Sequence, residues 1–513
     1  MKQLLRRKGM VLGSVILLLL LITTAACWHQ LGTLFTAGKY GNADEMVETL
    51  MAKTATPGVA VVSSKQGKTD YKVYGYSDVD QQKQVTDTSL FELGSTTKAF
   101  TALAIILLEQ EGRLAYTDYV SAYLPEFAPT FRGGKAEISV NQLLAHTSGI
   151  PSWTIKLIPE GTTADTLKQT IHNISDLALD TSPGIEHQYA TVNYDILAMI
   201  IEQVTGTSYQ DYVTQNILIP LGMTDSYFST GQEKKPDQLS KGYRVFFGKS
   251  VEYAAPRYYG NMAAGYLVTN IKDLEHWLNA QLGIGKVPDN LKQAIEYSHE
   301  ADLQNAGYEA KDSYYAYGWS NNPVKRVISH SGSNPNYSSQ VIIDLAQQEA
   351  VFVLANLNST APSLIAQNMY NNMNGNPMNT YKYDDSYILL DWVFSFLVLL
   401  AAISVTYKAL KLGRVGSSIV QDQRKRRRQR IAAGINLIIR LLMIVLLLIW
   451  PYLIHYNYYM ISVWMSYSVF LWMGLAAVSC VVGIGLNFPY NRKITSLIFI
   501  GMNKSKELYK NCT

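Results

Sequence analysis

The sequence predicts an α/β domain, an antiparallel sheet flanked by helices with an added helical subdomain, followed by three transmembrane helices. Two observations carry this. Strand-like runs lie near residues 59–76 and 327–356, with mostly helical periods between them, so distant segments must close one sheet. After residue 385 the composition changes to three apolar runs of about twenty residues or more, each able to cross a hydrocarbon core of roughly 30 Å.

The chain starts with Lys2, Arg6, Arg7 and Lys8, an apolar run from Met10 to Ile22, and the small residues before Cys27. That is the layout of a secretory signal over residues 1–27. Cleavage, lipidation at Cys27 and retention as an anchor all fit it. One large domain is expected over 28–368, opening with one helix within residues 28–50. Val59–Ser64 and Tyr71–Tyr76, separated by Lys65-Gln66-Gly67-Lys68, read as a hairpin. An apolar helix is expected over Thr97–Gln110, ended by Gly112. Residues 140–300 read as mostly helical. Strands are expected at Val327–Ser331, Ser339–Asp344 and Ala350–Asn356, then a helix from Ala361 and a linker over 369–385, rich in Asn, Met and Tyr.

The membrane domain is read as 386–486, with spans near 388–407, 431–454 and 461–486. A basic loop, 408–430, separates the first two, and a tail, 487–513, follows the third. The start carries net +4, the loop net +8 and the tail net +4. Basic flanks face the cytoplasm, which directs the large domain outward and gives a multi-pass protein of the cell membrane with an extracytoplasmic large domain. The whole-chain charge is only +4, so about −12 remains for the external residues. An acidic surface disfavours nucleic acid as a partner; the apolar runs make the lipid bilayer the expected one. Cys27, Cys480 and Cys512 all lie outside the external domain, which therefore offers no disulfide and no thiol nucleophile.

Ser95 and Lys98, in Gly94-Ser-Thr-Thr-Lys98, are three apart at the start of the apolar helix and share a face. A lysine beside a half-buried serine can lose its proton and accept the hydroxyl proton. About two Ser-x-x-Lys pairs arise by chance in a chain this long, and for the pair alone a capping serine followed by an exposed lysine is the better reading. The wider context is more specific. Phe91-Glu-Leu-Gly-Ser95-Thr-Thr-Lys98 is followed in order by Gln142-Leu-Leu-Ala-His146-Thr-Ser-Gly149, Pro183-Gly184 leading to Tyr189, and Ile219-Pro-Leu-Gly-Met223. Ala263-Ala-Gly265, Tyr317-Gly-Trp319 and His330-Ser-Gly332 complete the series. Over about residues 45–360 this order resembles the serine β-lactamase and penicillin-binding protein superfamily, in its class C β-lactamase-related branch.

That resemblance implies a serine hydrolase with no cofactor. Ser95 would form the acyl-enzyme, Lys98 would take its proton, and Tyr189 would carry the proton to the leaving group. His330, Ser331 and Gly332 match the strand motif beside the site, and the Ser95 and Ser333 amides would form the oxyanion hole. His146 is assigned to architecture. Two positions depart from the pattern. Thr191 replaces the Asn of a Tyr-x-Asn motif, with Asn193 two residues on, and lacks an amide's two-ended bridging. Asn336 replaces a glycine, as a residue that tolerates positive φ. The histidines show no metal-ligand spacing, so no metal is expected. The function implied is a membrane-tethered extracytoplasmic hydrolase acting on D-amino-acid peptides or esters of the cell envelope, or on β-lactams. The alternatives are a penicillin-binding sensor with little turnover and a transpeptidase.

Overall fold

A computed structural model describes residues 39–229, 233–300, 305–378, 385–412 and 423–487. The amino-terminal signal, most of the basic 408–430 loop and nearly all of the tail therefore lie outside the described residues. The chain forms two compact units, residues 31–389 with 459–464, and the remainder.

The first unit is built on a nine-stranded antiparallel sheet. Its strands are β1 (Gly58–Lys65), β2 (Lys68–Asp78), β3 (Lys83–Gln84), β4 (Gly307–Ala310), β5 (Ser313–Ala316), β6 (Trp319–Asn322), β7 (Val327–Asn334), β8 (Tyr337–Asp344) and β9 (Glu349–Ala355), in the order β4-β5-β6-β7-β8-β9-β1-β2-β3. The join between the two ends of the chain is β1 against β9, with Val59 opposite Ala355 and Val61 opposite Val353. β1 is buried along all but its last residue and β9 along its whole length. Both faces of these central strands are therefore covered, which explains their near-continuous apolar runs.

Helix α1 (Ala43–Thr54) is capped by Asn42, whose side chain accepts from the Glu45 amide at 2.8 Å. Helix α2 (Lys98–Gln110) buries every side chain from Lys98 to Leu108. A helix apolar all round belongs inside a core; Phe100 stacks on Trp277 with ring centroids 3.8 Å apart. Each fully buried Leu, Ile or Phe contributes about 1.5–3 kcal/mol, so Lys98, the single charged side chain in this buried run, needs a compensating reason. Helix α3 (Val192–Thr205) packs beside α2 and ends on Gly206 at φ 70°. Helix α4 (Ala361–Met373) lies on β8 and β9.

Three expectations need correction. The region 140–300 also holds a hairpin, Tyr243–Phe246 with Lys249–Glu252, and a small sheet in which Leu267–Thr269 lies between Phe91–Glu92 and Tyr227–Phe228. Strands β4 to β6 were not anticipated, because runs of four residues rich in Tyr, Ser and Asn carry little periodic signal. The first residues of the expected linker, 369–373, belong to α4, with Met369 buried in the core.

The second unit holds three helices long and apolar enough to cross a membrane. These are Ser386–Leu410, Arg430–Leu453 and Tyr467–Leu486, with mean hydropathies of 2.4, 2.6 and 2.3. The third begins later than the apolar run at 461 suggests. Ser466 interrupts that run and its hydroxyl accepts from the Ser468 amide at 3.2 Å, starting a new helix. Arg440 and Lys408 both donate to the Ser479 carbonyl, at 3.4 and 3.0 Å. Gly483 leaves room for the arginine, since a Cβ there would lie 1.2 Å from its Nη1.

Residues 459–464 belong to the first unit. Val463 is 1% exposed within its core, and Arg244 donates to the carbonyls of Ser462 (3.0 Å) and Val463.

Candidate active site

Ser95 sits in a 3-10 turn, Gly94–Thr97, that runs directly into α2. The turn and strand β7 touch backbone to backbone. Gly94 has φ +59°, and a Cβ on it would lie 2.5 Å from the Ser333 amide nitrogen. A Cβ on Gly332 would lie 1.9 Å from the Leu93 carbonyl oxygen. Only glycine at both places allows this approach, and it brings the Ser95 turn against residue 333. Thr96 Oγ1 closes the junction by bonding to Leu93 O and to Ser339 Oγ, both at 3.0 Å.

Lys98 is completely buried. Its Nζ lies 3.0 Å from Ser95 Oγ, 2.8 Å from the Ala264 carbonyl and 3.4 Å from Thr191 Oγ1. Its ammonium also faces the rings of Tyr189 and Tyr194 at 5.1 and 5.6 Å. Burial pushes its pKa down to about 7, against an opposing pull from the Asp195 carboxylate. A proton acceptor poised near neutrality thus lies within hydrogen-bond reach of a hydroxyl.

Tyr189 is placed by His146. Their ring centroids are 4.1 Å apart. His146 takes φ +53° and uses Nδ1 to accept from Asn193 Nδ2 (2.9 Å) and the Ala190 amide (3.4 Å), while Ser148 Oγ donates to Asn193 Oδ1 at 2.9 Å. Asn193 and His146 are thus one buried bracket beneath the tyrosine, an architectural role. The Tyr189 hydroxyl is buried without a well-formed partner. Burial pushes the phenol's pKa up, with Ser95 drawing it partly back, so the phenol keeps its proton at neutral pH.

The strand motif divides. β6 pairs with β7 only as far as Ser329, leaving residues 330–334 with an open edge on that side. Ser331 and Ser333 are exposed and Gly332 is buried. His330 turns inward: it is 7% exposed, Nε2 meets Tyr315 OH at 2.9 Å and Nδ1 meets the Ser331 carbonyl at 2.6 Å. Burial and the Lys98 charge push it down to about 3, so it is neutral, with both nitrogens engaged and its ring 6.3 Å from that of Tyr189. Asn336 is absent from the positive-φ residues. Its Nδ2 instead donates to the Tyr253 carbonyl at 3.0 Å, in space left open by Gly242.

Two further polar residues, unnoticed in the sequence, stand beside this cluster, one fully buried and one half-buried. Asp195 is 0% exposed on α3, one turn after Thr191, and Asn261 faces both. An acid inside the apolar run Tyr194 to Ile201 was the available signal. Nearby, Glu92 is bonded by Arg257 and Asn334, each at 2.7 Å, at one wall of a cavity of about 240 Å³ that also includes Tyr253, Tyr266 and Tyr337. Among the described residues no group of three His, Cys, Asp or Glu side chains could hold a metal ion.

The family pattern described as Beta-lactamase matches residues 43–372. The chain belongs to the beta-lactamase family. Among curated relatives, "Protein flp" of Staphylococcus aureus (strain NCTC 8325 / PS 47) is 34% identical over 420 residues, covering 80% of this chain and 82% of that protein. Among solved structures, the octameric penicillin-binding protein homologue from Pyrococcus abyssi aligns with a TM-score of 0.57 at 26% identity, over 69% of this chain and 81% of that one. A class C beta-lactamase aligns with a TM-score of 0.55 at 22% identity, over 64% of this chain and 97% of its own, a likeness of fold. The beta-lactamase-family fold thus occupies the first unit, and the three apolar helices come after it.

Proposed function

We propose that the chain is a membrane-tethered, outward-facing serine hydrolase that acts through a Ser95 acyl-enzyme on D-amino-acid peptides or esters of the cell envelope, or on β-lactams. The observation that carries this reading is the 3.0 Å contact between Ser95 Oγ and a buried Lys98 whose pKa is about 7. Neutral Lys98 takes the Ser95 proton as Oγ bonds to the substrate carbonyl carbon. The Ser95 and Ser333 amides would receive the developing oxyanion. As the bond to the leaving group breaks, Tyr189 gives its proton to that group and regains one from Lys98. Water then attacks the ester carbon, and Ser95 recovers its proton as the acid leaves.

The outward orientation rests on the basic residues at the start, in the loop and in the tail. A substrate held near the membrane suits an enzyme anchored by three apolar helices. The test uses the full chain in detergent or nanodiscs with a fluorescent penicillin and an activated ester, beside Ser95→Ala. Labelling or turnover that persists in Ser95→Ala would falsify the mechanism. Durable labelling without turnover would favour a penicillin-binding sensor, and rapid ester release an esterase.

A further inference from the structure

A line of polar groups, fully buried at Lys98 and Asp195 and half-buried at Thr191 and Asn261, runs away from Ser95 on the far side of Lys98. Lys98 Nζ lies 3.4 Å from Thr191 Oγ1, and the Asn261 carboxamide lies 3.3 Å from the same hydroxyl. The carboxamide atom that faces Thr191 also faces both oxygens of Asp195, at 3.0 and 3.1 Å, so it is the nitrogen, Nδ2. Asp195 is fully buried on α3. An unpaired buried carboxylate is costly, and a two-oxygen contact with an amide N–H₂ compensates it in part.

Asn261 also stands at a telling place in the chain. It ends the 3-10 turn Tyr259–Asn261 and precedes the short helix Met262–Gly265. Ala264 of that helix accepts from Lys98 Nζ at 2.8 Å, and Gly265 O accepts from Asn334 Nδ2 of β7 at 2.9 Å. One five-residue segment therefore holds the amine through a carbonyl, reaches it again through Thr191, and fixes the end of the strand beside the nucleophile. Thr191 is too short to span from Lys98 to Asp195, and the Asn261 amide fills that gap from a different element.

We infer that Asn261, anchored on Asp195, is a positioning residue for the Ser95–Lys98 pair, holding Lys98 Nζ toward Ser95 through Thr191. The inference rests on the Ser95 acylation reading. Its test compares full-chain wild type, Asn261→Ala, Thr191→Asn and the double variant in nanodiscs, using the rate of Ser95 acylation by a fluorescent penicillin.

Asn261→Ala is expected to slow the acylation step by about tenfold to a hundredfold, with the concentration for half-saturation little changed. Thr191→Asn in the same chain is expected to recover most of that loss, because an amide at 191 can enter the vacated space. A purely structural loss would not be rescued by adding an amide at a second position. Wild-type acylation in Asn261→Ala, or a double variant no faster than Asn261→Ala, overturns the inference while leaving the function intact. If wild type takes up neither penicillin nor activated ester, the functional reading fails separately. The geometry is then read from the Asn261 side-chain amide by ¹⁵N NMR. Slowly exchanging protons that shift in Asp195→Asn support the placement, and freely exchanging ones overturn it.

Discussion

Lys98 Nζ lies 3.0 Å from Ser95 Oγ and 2.8 Å from the Ala264 carbonyl, so one buried amine touches both the Ser95 hydroxyl and the 261–265 segment. Desolvation weakens its hold on a proton, while the Asp195 charge strengthens it through space. An ammonium in this place can only donate to Ser95; a neutral amine can accept from it.

Acylation should therefore rise with pH through about 7, where Lys98 becomes neutral. Below that pH the protonated amine cannot take the hydroxyl proton. Lys98→Arg, protonated at every accessible pH, should lose about a hundredfold or more in rate. The check is the second-order rate constant for labelling between pH 5 and 9; a flat profile would remove Lys98 as the acceptor.

Tyr189 leads to a prediction about leaving groups. Its phenol is held protonated by burial, which suits a donor. Tyr189→Phe should slow reaction with amides and β-lactams by about 10²–10³-fold. Activated esters, whose leaving group departs without a proton, should lose less than about tenfold by the same argument. Equal losses on both substrates would assign Tyr189 a role other than proton donation. The measurement is kcat/KM for the two substrate classes.

Much of this site was legible because it lies on strongly patterned elements. The apolar run from Ala99 to Leu108 gave away α2 and put Ser95 and Lys98 at its start, whereas the close junction at glycines 94 and 332 appears only in the packing. The Thr191 departure was readable, but its partner Asn261 was not. Seventy residues separate them, and only the packing of α3 against the 261–265 segment brings them to 3.3 Å. His330 shows a similar limit: the motif match puts it beside the site, but its hydrogen bond with Tyr315, from a strand too short to detect, was not readable. Sequence patterns report faces and periods; they do not report which polar groups meet across elements.

Gly332 should be irreplaceable. A Cβ at this position would stand 1.9 Å from the Leu93 carbonyl oxygen, backbone that can yield only by separating β7 from the Ser95 turn. Gly332→Ala should cost about 1–3 kcal/mol in stability and remove acylation, since the same separation pulls residue 333 away from Ser95. Thermal unfolding together with penicillin labelling checks both; a variant with wild-type stability and labelling would contradict the contact.

Arg244 should control the order of residues 459–464. Its guanidinium donates to the carbonyls of Ser462 and Val463 and lies 3.4 Å from the centroid of the Tyr253 ring. Arg244→Ala leaves those carbonyls without this donor, at a cost of about 1–3 kcal/mol. Amide hydrogen exchange across 459–464 should accelerate, with α2 unaffected. Unchanged exchange there would mean that the Val463 core contact alone holds the segment.

Asp195→Asn separates charge from shape. Asparagine keeps the volume and an oxygen for the Asn261 amide, but it removes the negative charge that holds the Lys98 pKa up. Burial acts on the pair in opposite senses, raising the Asp195 pKa and lowering that of Lys98, while each opposes the shift of the other. With the carboxylate gone, Lys98 should release its proton more easily, and the acid limb of the acylation profile should move to lower pH by about one unit. The rate on the plateau should fall less than in Asn261→Ala, because Lys98 is neutral there in both proteins and its position is kept. A limb that stays near 7 would mean that Asp195 carries no charge when Lys98 gives up its proton, and that its part is confined to anchoring Asn261.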